Sequence, residues 1–339
     1  MESLREKKPQ PAGNDATANR VQRGVDLPPS SSDSAASGRR SAMPKMDLAA
    51  FDGSFAPALR PREVRLAPWY RSRDYFVGQW LDVSVWKSAV VEMVATSCLV
   101  FLSGQITATI EGYGTPQVGG YIGISNIILL STFIYATAPA SGGHLNPMIT
   151  FSAILTGLCS VPRGILYMSA QTLGGALAGG LLLGVWGRER ATSLQGGGCW
   201  YDPSQASPGQ VYLNEVFSSF VLLFLSFGVG LDPRQAALFG PRMGPLLVGA
   251  SLGLVTFSSS GIIPGYAGAQ MNPSRCLAFG IARRNLSYQW VWWFGPAVGG
   301  LIEALLYNLI PPHHTELVKK QSIGNDPDTM VGHTDIPTV

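Results

Sequence analysis

The sequence predicts an all-α membrane protein with six transmembrane helices and two re-entrant half-helices, arranged as an inverted repeat. Six apolar segments are each near the ~20 residues that a bilayer core requires. An Asn-Pro motif also occurs twice between such segments, at Asn146-Pro147 and at Asn272-Pro273. The apolar stretches that begin there, Asn146–Leu158 and Asn272–Ala282, are too short to cross a bilayer alone and are therefore expected to be half-helices.

The six candidate spans fill the middle of the chain. They are Lys87–Ile110, Tyr121–Ala138, Gly164–Gly187, Tyr212–Gly230, Gly244–Ile263 and Trp290–Ile310. Residues 1–80 and 312–339 are hydrophilic, and the first of these segments is rich in Ser, Pro, Ala and Arg with little apolar periodicity. This composition predicts a disordered tail on each side of the membrane domain.

The basic residues predict the orientation of the spans, because Lys and Arg are enriched on the cytoplasmic side of membrane proteins. Most of those near the spans lie on one predicted side: Arg60, Arg62, Arg65, Arg71, Arg73, Lys87, Arg163, Arg234, Arg242, Lys319 and Lys320. Arg188 and Arg190 lie on the opposite side and weaken this bias without reversing it. We therefore expect both tails to be cytoplasmic and the protein to lie in the plasma membrane. The net charge of +3 indicates topology and contact with anionic lipid, not nucleic-acid binding.

Each Asn-Pro motif predicts the start of a helix. Asn is a favoured N-cap because its side-chain oxygen accepts a hydrogen bond from a backbone N–H of the first turn, and Pro suits the first helical position. The amide NH2 groups of Asn146 and Asn272 are then expected to face outward as free donors, beside the partial positive charge of a helix N-terminus. Two such ends inside a membrane make a site for a neutral oxygen-bearing molecule and a barrier to cations.

The two halves of the chain repeat more than this motif. Glu92 in the first span and Glu215 in the fourth precede their respective Asn-Pro motifs at similar distances. Each half, about 86–187 and about 211–311, contains three spans, an odd number, so the second half must enter the membrane upside down relative to the first. The half-helices are then expected to enter from opposite faces and to meet near the midplane, with their capped ends together.

These features resemble the aquaporin, or major intrinsic protein, family over residues 86–311. The residues that carry the resemblance are Ser141-Gly-Gly-His-Leu-Asn-Pro, Asn272-Pro-Ser-Arg, Glu92, Glu215, Gln171 and Gly295-Pro296. Within the family, the chain is similar to the X-intrinsic proteins of plants and fungi, because Cys276 directly follows Arg275 and Gly197-Gly198-Cys199 falls in the third loop. The long amino terminus is similar to that of the fungal members.

The resemblance implies a pore whose narrowest ring limits the size of the solute. Counted without gaps from the two motifs, the ring consists of Asn126, Ser260, Ala269 and Arg275. Strict water channels of the family have Phe, His, a small residue and Arg at these positions. Asn and Ser in place of the aromatic ring and His widen the constriction, while Arg275 still supplies charge-assisted donors to a hydroxyl or carbonyl oxygen.

Some residues depart from the family pattern. Met148 and Ser274 replace the alanine that usually follows Asn-Pro; serine is nearly isosteric, whereas methionine is larger and can reshape the midplane. The glycerol-conducting subfamily typically has Asp after the arginine and Pro-Leu in the sixth span, where this chain has Cys276 and Trp292-Trp293. We give the ring more weight because it sets the steric limit.

The resemblance also implies that Glu92 and Glu215 accept hydrogen bonds from loop backbone, whereas in a transporter such residues would relay protons. His144 is expected to be a structural or gating residue and not a metal ligand, since no partner lies at ligand spacing; no metal or cofactor is expected. Cys199 and Cys276 map to the outer side, where spacing alone leaves both a disulfide and free thiols open. The sulfur of Cys276 is expected to be reachable from water near the outer mouth.

The implied function is a passive channel for water and small uncharged solutes such as glycerol, which excludes ions and protons and forms a homotetramer in the lipid bilayer. The alternatives are a water-selective channel, a channel that prefers peroxide or boric acid, an ion-coupled secondary transporter, and a receptor or adhesion protein whose long tail binds partners. An enzyme is not expected, because no nucleophile–base pair, phosphate-binding glycine loop or metal cluster of useful spacing is visible.

Overall fold

A computed structural model describes residues 69–232 and 236–310, without the side chains of residues 236–241. Its helices are α1 Arg73–Val77, α2 Val83–Gly112, α3 Val118–Ser141, α4 Pro147–Leu155, α5 Val161–Ser193, α6 Pro208–Ser226, α7 Ala236–Ser259, α8 Pro273–Ala282 and α9 Gln289–Leu309. Within these residues, extended pairing is limited to one isolated bridge between Tyr201 and Tyr266. The predicted all-α class, with six long helices and two half-helices, is confirmed.

Four of the long helices can cross a membrane by both length and composition: Val83–Gly112, Val118–Ser141, Val161–Ser193 and Pro208–Leu231. The fourth continues from α6 through a π-helical turn, Phe227–Leu231. The other two, α7 and α9, have 24 and 21 residues, or at least about 31 Å at the α-helical rise, which is enough to span a bilayer core.

The predicted spans differ from the helices mainly at their ends. The third span was expected to end at Gly187, and there the backbone does leave helical geometry, with φ 71° and ψ 167°, before the helix resumes to Ser193. The fifth span was expected to reach Ile263, but α7 ends at Ser259. Ser260 therefore lies just beyond the helix and not within it.

The two half-helices begin at the prolines that the sequence indicated. Asn146 caps α4 by accepting a hydrogen bond from Met148 N at 2.9 Å, and Asn272 caps α8 by accepting one from Arg275 N at 3.3 Å. The half-helices have 9 and 10 residues, about 14 and 15 Å. End to end, they match the ~30 Å thickness of a bilayer core.

Each half-helix packs against the repeat to which it does not belong. The first repeat comprises α2 to α5 and the second comprises α6 to α9. Helix α8 packs on α5 and α4 packs on α9, while α3 and α7 form the largest contact between the repeats. The inverted repeat therefore makes the two halves interlock around the half-helices.

Glycines on α5 permit its close approach to α2 and α8. A Cβ atom on Gly174 would lie 2.3 Å from Met93 O, and one on Gly179 would lie 2.4 Å from Ala278 O. Both distances are far shorter than a van der Waals contact, and the backbone atoms concerned cannot move aside. These positions therefore require glycine, which is the small-residue packing typical of membrane helices.

The predicted amino-terminal tail, residues 1–80, is too long at its carboxyl end. Helix α1 lies within it, and the Tyr75 hydroxyl of α1 donates a hydrogen bond to Ile154 O of α4. The Trp69 ring lies where a Cβ on Gly157 would be, 2.5 Å from its Cδ1. Aromatic packing on the end of α4 thus orders this part of the chain. Residues 1–68 and the predicted tail 312–339 lie outside the described residues.

The loop after α5 is fixed to α8 by covalent and polar contacts. A disulfide joins Cys199 of the loop to Cys276 of α8, with their Cα atoms 5.2 Å apart. The Arg283 guanidinium, just after α8, donates to Gly198 O and Cys199 O at 3.0 Å each. Trp200 O accepts a hydrogen bond from Ala267 N at 3.3 Å. The sequence left the disulfide open because the fold brings together two cysteines that are 77 residues apart.

The expectation that the Cys276 sulfur is reachable from water is wrong. Both cysteines of the bridge are fully buried, in a core cluster with Phe279 and Trp292. Position 276 lies on the side of α8 that packs into the protein, one residue away from Arg275, so the two side chains point in different directions around the helix.

The glycine packing of α5 predicts a sharp contrast between adjacent positions. Gly179→Ala should lower the free energy of unfolding by about 1–3 kcal/mol through overpacking. Gly180→Ala is the matched control, because a Cβ there has no neighbour within 4 Å and alanine favours the helix. Thermal unfolding of the purified protein in detergent measures both. Equal effects would contradict the packing.

The disulfide predicts non-additive effects of mutation. Cys199→Ser and Cys276→Ser should each lower the free energy of unfolding by about 2–4 kcal/mol, and the double variant should lose no more than either single variant because all three lack the same bond. Cys98→Ser, at an exposed free cysteine, should change stability little. A double-variant loss equal to the sum of the single losses would show that the two sulfurs stabilise the fold independently.

Candidate functional site

A cavity of about 330 Å³ lies between the helices and contains the meeting point of the half-helices. Side chains four residues apart on α2 form one wall: Leu99, Ser103, Thr107 and Glu111. The cavity wall is polar at the end that contains Glu111 and apolar at the end that contains Leu231 and Val248. Asn146 and Asn272 line the cavity between these ends, so it has the form expected of a pore with a polar midpoint.

Glu92 holds the loop that precedes α4. It is fully buried and accepts four hydrogen bonds, two on each carboxylate oxygen. The donors are the Ser141 hydroxyl at 2.6 Å, His144 N at 3.0 Å, Leu145 N at 2.7 Å and the Gln171 amide at 2.8 Å. Two of these donors are loop backbone, so Glu92 has the partners that loop support requires.

Glu215 holds the loop that precedes α8 in the corresponding way. It is also fully buried and accepts three hydrogen bonds: from Gln270 N at 2.7 Å, Met271 N at 3.0 Å and the Tyr266 hydroxyl at 2.8 Å. In both repeats the carboxylate therefore satisfies the two backbone N–H groups that lie just before the Asn. Non-helical backbone within a membrane needs such partners.

The residues before the two Asn caps have an uncommon backbone conformation. Leu145 has φ 53° and Met271 has φ 54°, in the left-handed region that costs an L-residue about 1–2 kcal/mol. Their carbonyl groups bond across the repeat: Asn272 Nδ2 donates to Leu145 O at 3.2 Å, and Asn146 Nδ2 donates to Met271 O at 2.9 Å. The strained turns thus bring each half-helix end to the opposite loop.

The expectation that both Asn amides are wholly free donors is wrong. One N–H of each NH2 group is used in the reciprocal bonds to Leu145 O and Met271 O. An amide NH2 has two donors, so one N–H of each Asn is left for the cavity that both residues line. The reciprocal bonds fix its direction, which a free amide would not have.

The four residues predicted to form the ring all lie on the wall of the cavity: Asn126, Ser260, Ala269 and Arg275. Asn126 Nδ2 donates to the Thr256 hydroxyl at 3.2 Å, and the Ser260 hydroxyl donates to Thr256 O at 2.7 Å. Ala269 N donates to the Ser259 hydroxyl at 3.1 Å. The ring positions are therefore held by hydrogen bonds to α7 and the residues at its end.

Three residues that the sequence did not indicate fix the Arg275 side chain. Its Nε donates to the Ser103 hydroxyl at 3.1 Å, and a terminal nitrogen donates to Gln270 Oε1. The guanidinium carbon lies 4.6 Å from the centroid of the Phe279 ring, a cation–π distance. The helical spacing of four residues could have indicated Phe279. Nothing in the sequence indicates Ser103, which is 172 residues away.

The other predicted site residues lie around the half-helices. His144 lines the cavity, and its Nδ1 is 3.1 Å from the Thr150 hydroxyl. Met148 does not line the cavity; it is buried with Leu222 and Met271, so any effect of its size on the midplane would be exerted from behind the lining. Ser274 is fully buried. Cys199 and Cys276 also lie outside the lining. In the part of the chain that the structure describes, no three His, Cys, Asp or Glu residues form a group that could hold a metal.

Comparison with known proteins agrees with this architecture. The chain is 30% identical to "Probable aquaporin TIP4-1" of Oryza sativa subsp. japonica, over 68% of this chain and 89% of that protein. It is 29% identical to "Aquaporin PIP2-4" of the same plant, over 69% and 84%. The solved structure of an aquaglyceroporin from Plasmodium falciparum has the same fold, with TM-score 0.56 and 20% identity over 68% of this chain and 98% of that one.

The sequence model of the family called Major intrinsic protein matches residues 79–307. This range contains both Asn-Pro motifs, Glu92, Glu215 and the six long helices except for the last two residues of α9. The chain therefore belongs to the major intrinsic protein family, the aquaporins, and is a membrane channel, not an enzyme.

Proposed function

We propose that this protein is a passive channel for water and small uncharged solutes such as glycerol. The observation that carries the proposal is the lining of one cavity by both Asn caps, Arg275 and the polar ring residues. Each of these groups presents N–H or hydroxyl groups to a passing molecule. A hydroxyl oxygen can therefore exchange its hydrogen bonds with water for hydrogen bonds with the wall as it moves.

The composition of the ring supports passage of solutes larger than water. Asn126 and Ser260 have smaller side chains than the aromatic residue and histidine of strict water channels, and Ala269 adds only a methyl group. Arg275 is held against the wall by Ser103 and by the Phe279 ring. Because the guanidinium is held at one side of the ring, the small side chains opposite it set the width of the opening.

Ions and protons are excluded by three features of the same lining. An ion loses hydration that a neutral wall does not replace, and Arg275 repels cations at the ring. The N-termini of α4 and α8 make the midplane positive. The remaining N–H of Asn146 and that of Asn272 both donate to the oxygen of a central water. That water's hydrogens then point away, which interrupts the chain along which a proton would hop.

The secondary-transporter alternative has less support. A transporter of this kind needs intramembrane carboxylates that exchange protons. Glu92 and Glu215 instead accept four and three hydrogen bonds and hold loop backbone in place. A water-selective channel, or one that prefers peroxide or boric acid, has the same lining as the proposed channel and differs only in solute range.

The assembly and location are proposed as the resemblance implies. We propose a homotetramer of X-intrinsic type in the plasma membrane, with both tails cytoplasmic. Exposed apolar side chains on α3 support contact with lipid or with a neighbouring copy: Tyr121, Ile124, Ile128 and Tyr135. Cross-linking of the purified protein followed by mass measurement distinguishes a tetramer from a monomer.

Stopped-flow light scattering on vesicles that contain the purified protein tests the function. Water, glycerol, urea, hydrogen peroxide and boric acid are compared at equal protein density. The proposal predicts raised permeability to water and glycerol that does not change when proton and sodium gradients are dissipated. Loss of flux on dissipation would favour the transporter, and water flux without glycerol flux would favour the water-selective alternative.

The ring predicts that its size can be reduced by mutation. Asn126→Phe combined with Ser260→His should narrow it towards water-only geometry, so glycerol flux should fall much more than water flux. Stopped-flow permeabilities to both, at matched protein density, measure the ratio. An equal fall in both would place the constriction elsewhere in the cavity.

The fixed charge at the ring predicts a change in ion exclusion. Arg275→Val removes the cation and should admit a proton or small-cation current, while flux of neutral solutes stays equal or rises. Current recordings from planar bilayers measure this, and Arg188→Val provides a control because Arg188 is exposed and lies outside the cavity lining. Absence of a leak in the Arg275 variant would assign ion exclusion to the half-helix ends alone.

A further inference from the structure

Another buried carboxyl group lies inside the membrane domain and does not line the cavity. Glu303 of α9 is 3% exposed and does not line the cavity. Its Oε2 is buried without a hydrogen-bond partner. Glu92 and Glu215 differ in this respect, because those two carboxylates accept four and three hydrogen bonds, with at least one on each oxygen.

The surroundings of Glu303 contain hydroxyl groups that also lack partners. One turn before it, a Cβ on Gly299 would lie 2.8 Å from Ser219 Cβ of α6, and one on Gly300 would lie 3.7 Å from Ser152 Cβ of α4. A helical side chain leans towards the N-terminus of its helix, so the carboxyl group lies over this turn. The hydroxyls of Ser152 and Ser219 are buried and unpartnered.

Among the side chains that the structure describes, no cation lies in contact with Glu303. Helix α9 packs on α4, α6 and α8. Among the described side chains of these four helices, the other titratable groups are Tyr212, Glu215, Arg275 and Tyr307. Arg275 is bonded to Ser103 and Gln270 at the cavity, and Tyr307 is bonded to Asp232. Glu303 Oε2 accepts no hydrogen bond from any of these side chains.

The position of Glu303 beside α4 adds to the cost of a negative charge. Helix α9 contacts α4 at Gly300 and again at Asn308, whose amide donates to Leu155 O at 3.0 Å. Glu303 lies between these two contacts, next to the carboxyl-terminal half of α4. That end of a helix carries partial negative charge. An unpaired carboxylate there would be both desolvated, at several kcal/mol, and repelled.

We propose that Glu303 is a proton-binding site. It is a neutral carboxylic acid while the channel is intact, and loss of its proton disrupts the packing of α4 against α9. The proton belongs to the oxygen that has no other partner, because protonation removes the charge that this buried position cannot solvate. Since α4 carries Asn146 at its other end, a displaced α4 removes one of the two capped ends from the pore. The channel should therefore lose permeability when the pH is raised.

Infrared spectroscopy of the full-length protein in lipid tests the protonation directly and does not depend on the proposed function. Wild-type protein at neutral pH should show the carbonyl stretch of a protonated carboxylic acid, shifted in heavy water and lost on raising the pH. The difference spectrum between the wild type and Glu303→Gln should contain this band, because the variant lacks the contribution of one carboxyl group. Absence of the band from the wild type, or from the difference spectrum, would overturn the proposal.

Water permeability of vesicles at rising pH tests the link to the channel, and this arm depends on the proposed function. Wild-type permeability should fall along a one-proton titration, at most about tenfold per pH unit, whereas Glu303→Gln should keep its neutral-pH permeability throughout. Glu189→Gln, at an exposed glutamate, controls for the substitution and should titrate like the wild type. The same fall in Glu303→Gln, or no fall in the wild type, would overturn the link. A protein without water permeability at any pH would instead refute the proposed function.

A stability measurement distinguishes disrupted packing of α4 against α9 from a direct effect on the pore. The folded channel holds a proton that the unfolded chain releases at neutral pH, so the free energy of unfolding should fall as pH rises. Glu303→Gln should remove this dependence. If wild type and variant lose equal stability between neutral and alkaline pH, the ionisation of Glu303 does not act on the fold, and the proposal fails.

Discussion

The architecture depends on the reciprocal hydrogen bonds between the two Asn caps and the opposite loops. Each Asn gives its side-chain oxygen to its own helix and one N–H to the carbonyl of the residue before the other Asn. Within a membrane, backbone that is not part of a helix or a β-barrel is stable only when its polar groups have hydrogen-bond partners or face water. The left-handed turns at Leu145 and Met271, and the carboxylates that hold their N–H groups, follow from this requirement. What remains unbonded is one N–H on each side, aimed into the cavity.

This arrangement separates two tasks that a pore must perform. At the midplane, the side chains of Asn146 and Asn272 are buried, each 9% exposed, and hydrogen bonds from both repeats hold them. The geometry of the midplane therefore changes little when other parts of the wall change. The residues expected to form the ring come from different parts of the chain: Asn126 lies on α3, Ser260 just after α7, Ala269 in the loop before α8, and Arg275 on α8. Under the proposed function, solute size can vary through Asn126 or Ser260 while the midplane is preserved. Arg275 belongs to both regions because it follows a cap and is held by Ser103 of α2.

Much of this could be predicted from the sequence, because the signals are local. Asn followed by Pro defines a helix start, and a repeated motif with an odd number of spans defines an inverted repeat. The contacts that needed the structure are those between distant segments. They include the cross-repeat bonds of the Asn amides, the clamp on Arg275, the buried bridge between Cys199 and Cys276, and the turn of Met148 away from the cavity. Each depends on the rotation of a helix about its axis, which apolar segments without a polar face do not encode.

The most direct test of the account is the activation energy of osmotic water permeability through the purified wild-type protein in vesicles. If the Asn caps and the ring replace the hydrogen bonds that water gives up, the activation energy should be close to that of water diffusing in bulk. Protein-free vesicles of the same lipid provide the reference for passage through the bilayer. An activation energy equal to that of the lipid alone would contradict the claim that the cavity is a continuous path for water.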